Sequence, residues 1–165
     1  MSDHDPFNEP ETAHPRARQL MKEEFLWDCV DEEAPFGSDE GADAYYEFRD
    51  WRARNKKKKL TDCLAWIMQG EKLKNYNEKL CTNQAIERDL ENPDEAFLGE
   101  DYDMFTLDAT VIATALGQLL DEGRIDPEAK PFVRVAIKRQ MHPKVLTSGH
   151  RKKILQAVER VVKAA

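Results

Sequence analysis

Several things are scarce in this chain, and each scarcity removes a class of function. No apolar run approaches the length needed to span a bilayer. Only seven glycines are spread through 165 residues. None falls in a P-loop, a dinucleotide-binding fingerprint or a G-x-S-x-G elbow, so a phosphate-cradling loop and a hydrolase nucleophile of those types are not indicated. The three cysteines, Cys29, Cys63 and Cys81, are far apart and form no C-x-x-C pair, which predicts reduced thiols. The four histidines, His4, His14, His142 and His150, show neither H-x-x-x-H nor H-E-x-x-H spacing, so no transition-metal ligand set is predicted. The EF-hand pattern of spaced acids, glycine and terminal glutamate is also missing. No stretch alternates apolar and polar residues cleanly, and no Asn-Gly or Asp-Gly hairpin signal occurs, so strands have no place in the reading. No repeat of fixed period is present.

What the chain has in quantity is charge. Charged residues make up 35% and hydrophobic residues 41%, the composition of a globular domain with a heavily charged surface. The net charge of −7 is unevenly laid out. Residues 1–50 carry 15 acids against 4 bases, residues 51–129 carry 16 against 11, and residues 130–165 carry 1 against 10. Such a split marks either two ends that face one another or two separate partner surfaces. The first fifteen residues, MSDHDPFNEPETAHP, are acidic and lack the apolar segment of a secretion signal, which predicts a cytoplasmic protein. Residues 1–13 read as a flexible acidic tail and residues 14–165 as one domain.

Helical spacing recurs through that domain. Pro15 opens a helix in which Ala17, Leu20, Met21 and Phe25 share a face. Leu60, Leu64, Ile67 and Met68 repeat at helical spacing and stop at Gly70. Leu80, Ile86 and Leu90 predict a helix from Asn77 to Glu91, ended by Asn92-Pro93. An acidic loop from Glu95 to Asp103 follows. Thr106–Glu122 is apolar around most of its circumference, with Thr106 as its expected N-cap and Gly123 as its stop, so it belongs at the centre of a core. Asp126-Pro127 opens a further helix, His142-Pro143 breaks it, and the last helix starts near Ser148. The expectation is an all-α protein, a compact bundle of about six helices packed around residues 106–122.

The stretch PFGSDEGADAYYEFRDW, Pro35 to Trp51, is the most informative. Ser38 or Asp39 caps a helix on which Ala44, Tyr45, Phe48 and Trp51 fall on one side. Asp39, Asp43, Glu47 and Asp50 fall on the other. Gly41 in its first turn costs about 1 kcal/mol against alanine, a cost that points to close packing there. The acidic stripe suits a basic protein partner, since charge complementarity steers encounter and sets specificity. The rival is a stripe that is only solvated, or that faces the chain's own basic C-terminal helices. Two alternatives come from other parts of the surface. The acids from Asp28 to Asp43 would line an enzyme cleft holding Mg²⁺ or Ca²⁺. The run Arg52–Lys59, RARNKKKK, has six bases in eight residues and would bind nucleic acid, with Trp51 or Trp66 stacking on bases. The overall acidity counsels against nucleic acid, no membrane interaction is expected, and no cofactor is implied.

His14-Pro15-Arg16-Ala17-Arg18, Trp27-Asp28 and the Pro35–Trp51 stretch together resemble the YfeS-like family of small bacterial proteins. Leu107–Leu120 extends the resemblance more weakly. The family brings no catalytic residues to carry over. What the resemblance implies, through similar small domains, is a regulatory or antitoxin-like role.

Overall fold

The computed structural model describes residues 5–95, 97–99 and 102–165, and over these residues the protein is an all-α bundle of seven helices with no strand. They are α1 (Pro15–Leu20), α2 (Asp39–Arg54), α3 (Leu60–Ile67), α4 (Asn83–Glu91), α5 (Met104–Glu122), α6 (Lys130–Gln140) and α7 (Gly149–Ala164). Helix α5 is the axis. Fifteen of its nineteen residues are buried, in one unbroken run from Leu107 to Leu120 plus Met104. Helices α2 and α6 take its two largest contact faces, with α1 and α3 against it as well, while α7 packs on α6. The apolar circumference read from the sequence is thus covered on several sides, which is why this helix has no solvent-facing stripe.

Several helix ends differ from the sequence reading, each for a local reason. Helix α5 starts at Met104, because the Asp103 carboxylate, not Thr106, accepts the exposed N–H of the first turn (Thr106 N, 2.8 Å). At its other end Gly123 adopts φ +75°, the left-handed stop expected of it. Helix α1 ends at Leu20, not Phe25. The Met21 carbonyl is taken by the Trp27 indole N–H (2.8 Å), and the chain turns into a short 3-10 helix at Glu24–Trp27. The helix expected from Asn77 is two pieces, a 3-10 turn at Glu78–Cys81 and then α4. Thr82 separates them by going extended and capping Ala85 N (3.1 Å). In the acidic N-terminal stretch, residues 1–4 lie outside the described residues, whereas Phe7 packs its ring on Phe36 and Tyr45 and Ala13 is buried.

Two of the glycines sit where α2 packs closely, one against a side chain and one against backbone. A Cβ on Gly117 in α5 would lie 2.9 Å from the Tyr45 ring of α2. One on Gly41 would lie 1.8 Å from the Pro35 carbonyl oxygen, the close packing that its place in a first turn signalled. Gly41→Ala is therefore expected to lower stability by about 1–3 kcal/mol through overpacking. At a solvated helix site the same change would raise it by about 1 kcal/mol. Urea unfolding decides the sign.

Candidate functional site

The acidic stripe lies where the helical wheel places it. Asp39, Asp43, Glu47 and Asp50 are all exposed, while Ala44, Tyr45, Phe48 and Trp51 are buried on the opposite side of α2. Spacings of four, four and three residues align the carboxylates along roughly 16 Å of helix. Tyr46, 49% exposed, sits on the same face, one turn from both Asp43 and Asp50. The buried face of α2 carries its own polar anchors into α5. The Tyr45 hydroxyl donates to Asp121 (2.6 Å), Arg49 pairs with Asp121 (3.4 Å) and Arg52 with Glu122 (2.7 Å).

Part of the chain's charge split is met elsewhere. The acidic segment before α2, not α2 itself, meets the basic C-terminal helix α7. His150 Nε2 lies 2.6 Å from an Asp31 carboxylate oxygen, and the Ser148 hydroxyl donates to Glu33 (2.7 Å). The Arg151 guanidinium donates to the Glu33 carbonyl (2.5 Å), and Arg160 pairs with Glu23. The hydrogen bond from His150 holds the Asp31 carboxyl below its ordinary range, and that from Arg160 does the same to Glu23. These acids are committed to the fold. Among the described residues, no three His, Cys, Asp or Glu side chains are grouped as a metal ion would require.

The basic run divides likewise. Arg52 is structural: besides Glu122 it donates to the carbonyls of Asn55 and Lys58 and lies over the Phe48 and Trp51 rings. Arg54 and Lys56–Lys59 are exposed at the turn into α3. Trp51 is 5% exposed and has no face free to stack on a base, whereas Trp66 is 52% exposed.

One cleft stands out, of about 720 Å³. It is assembled from the first turns of α2, α5 and α7, the ends of α4 and α6, and the Lys144–Thr147 connection. Apolar Leu90 and Phe105 stand partly exposed in it, and Glu32, Asp39 and Glu40 contribute carboxylates.

Beneath it lies a buried polar cluster that no spacing in the sequence announces. Arg139 of α6 is fully buried; its Nε donates to Asp108 of α5 (3.0 Å) and its Nη1 to Asp89 of α4 (3.1 Å). Asp108 also accepts from the Tyr76 hydroxyl (2.5 Å) and from Gln140 Nε2 (2.8 Å). Asp89 is paired a second time with Arg88 (3.0 Å). Burial pushes the Asp108 carboxyl above its ordinary range against the pull of Arg139, Tyr76 and Gln140. The only trace in the sequence is an acid, Asp108, inside the most apolar helix.

The chain matches no protein-family model, no curated protein and no solved structure in comparisons with each. The likeness to the YfeS-like family accordingly rests on the quoted residues alone.

Two expectations follow from this geometry. Arg139→Leu leaves two buried carboxylates without their shared cation and is expected to cost about 3–5 kcal/mol by denaturant unfolding. The second concerns pH. Asp31 and Glu23 have lowered folded-state values, so their contribution is complete above the unfolded carboxylate range and lost as pH falls through the folded values. The stability gap between the wild type and an Asp31→Asn, Glu23→Gln double variant is therefore expected to close between about pH 6 and about pH 2. A gap that stays constant over that range would show that these pairs add no acid sensitivity.

Proposed function

We propose that this protein is a cytoplasmic binding module that holds a basic protein partner on the outer face of α2, in a regulatory or antitoxin-like role. The observation that carries this reading is that the acidic stripe is left uncovered. Of the C-terminal bases that could have neutralised it, Arg160 is turned to the Glu23 carboxylate, His150 to Asp31 and Arg151 to the Glu33 backbone carbonyl. Among the described residues no ion pair reaches Asp39, Asp43, Glu47 or Asp50 from another helix. Four carboxylates in line repel one another, and a basic surface laid along them relieves that repulsion.

Tyr46 gives the stripe a non-electrostatic anchor. A half-exposed tyrosine ringed by like charges has the anatomy of an interface centre, where aromatic residues dominate the binding energy and the charged rim sets on-rate and register. Its ring is held against Tyr45 (centroids 5.5 Å apart), so little conformational freedom is left to lose on binding.

The test uses residues that line neither the core nor the cleft. Asp43, Glu47 and Asp50 are changed together to Lys, and complexes are recovered from native lysate at low and at raised salt. Loss of basic proteins that the wild type recovers, together with their release by salt, is the expected outcome. Recovery of the same partners at the same level would sink the proposal. Tyr46→Ala is expected to weaken the complex by at least ~1 kcal/mol with the salt dependence unchanged.

A further inference from the structure

We propose that the cleft between the first turns of α2, α5 and α7 is a small-molecule site for a dipolar ligand, with Arg151 taking its carboxylate and Glu40 its cationic end. This goes beyond the protein-binding reading and does not depend on it.

The case begins with Arg151. Three arginines of the described chain are buried to nine-tenths or more: Arg49, Arg139 and Arg151. Arg49 has Asp121 for a counter-ion, and Arg139 has Asp108 and Asp89. Arg151, 7% exposed, has none within 4.0 Å among the described residues. Among the described residues its guanidinium makes one hydrogen bond, from Nη1 to a neutral carbonyl, Glu33 O, and it lies over the Phe105 ring with 5.8 Å to the centroid. The Glu33 carboxylate is turned to the hydroxyls of Ser148 and Thr147. A guanidinium offers five N–H donors in a planar fork, so most of its donor capacity remains available at the cleft wall. Burial draws its pKa down, while the charges of Glu33, Asp108 and Asp31 pull the other way and do not fully offset it. An arriving carboxylate would supply the missing counter-charge.

The surroundings define the rest of the ligand. Helix α7 opens at the cleft with no acidic side chain in its first turn, so its N-terminal dipole adds to the field of Arg151. Leu90 and Phe105, 42% and 37% exposed, give an apolar wall between. The volume falls in the range of small-ligand pockets, about 300–1,000 Å³. A simple anion, however, would have to pass Glu32, Asp39 and Glu40. Glu40 and Asp39 lie in the first turn of α2, and no ion pair ties either to the protein among the described residues. A ligand with a cation at its far end turns that repulsion into a second contact.

The probes are 6-aminohexanoate, hexanoate and hexylamine, titrated calorimetrically into the full chain at low salt. Saturable binding of 6-aminohexanoate is expected, with each single-charge probe weaker by at least ~10-fold, the worth of one charge-assisted contact. Arg151→Met should abolish binding and Arg151→Lys retain part of it. Glu40→Gln should narrow the gap between 6-aminohexanoate and hexanoate. No saturable binding of 6-aminohexanoate, or equal binding by Arg151→Met with an unaltered thermal transition, overturns the proposal. Should Arg151→Met fail to fold, the Arg151 Nε–H resonance of the wild type is followed through the titration. Movement supports the site and an unmoved resonance overturns it. Neither result touches the Asp43, Glu47, Asp50 triple variant, so the two readings stand or fall separately.

Discussion

Helix α5 has no side that tolerates water, and the rest of the architecture answers that constraint. A nineteen-residue helix with fifteen residues buried is stable only if other elements enclose it. Helices α2 and α6 supply the largest covers, and α7 packs on α6 and on the 3-10 turn at Glu24–Trp27. Close approach of α2 requires Gly117, since a side chain there would enter the Tyr45 ring. The polar ties between α2 and α5 lie at the far end of this interface, on Asp121 and Glu122, where α5 emerges into partial solvent. Apolar packing therefore holds the middle of the pair and charge fixes its end.

Asp108 is the buried charge inside that helix, and it explains the position of three other elements. A carboxylate there must be met by donors, and those donors come from Tyr76, Arg139 and Gln140. Arg139 in turn reaches Asp89, so α4, α5, α6 and the segment before α4 are tied to one buried point. Such a cluster costs desolvation that an apolar filling would avoid. What it provides is geometry, because few arrangements of four segments satisfy all its hydrogen bonds together.

The bundle, its central helix and the two-faced α2 were legible in the sequence because each is written in a periodic pattern of single-helix length. Gly41 was legible because a glycine in a first turn is costly unless something lies close. The ends were less so. Asp103 displaced Thr106 as cap, and Thr82 cut one expected helix in two, because a cap is decided by one hydrogen bond and not by a periodicity. The Arg139 cluster and the cleft were not legible. Their residues come from segments separated by tens of positions, and nothing local distinguishes Arg139 or Arg151 from the basic residues around them. The charge split was visible, but its resolution was not: the acids that answer α7 are Glu23, Asp31 and Glu33, which all precede the cap of α2 and do not belong to its stripe.

The separation between the buried and exposed sides of α2 has a consequence for how this protein can vary over generations. Tyr45, Phe48, Arg49 and Arg52 answer to α5, and any change there is filtered by folding. Asp43, Glu47 and Asp50 are exposed and, among the described residues, make no ion pair with another helix, and Tyr46 touches only the neighbouring Tyr45 ring among the described aromatic contacts. Substitutions among them are close to neutral for the fold. This exposed face is thus free to drift in charge and shape at little structural cost, on the same helix whose other side is held nearly fixed.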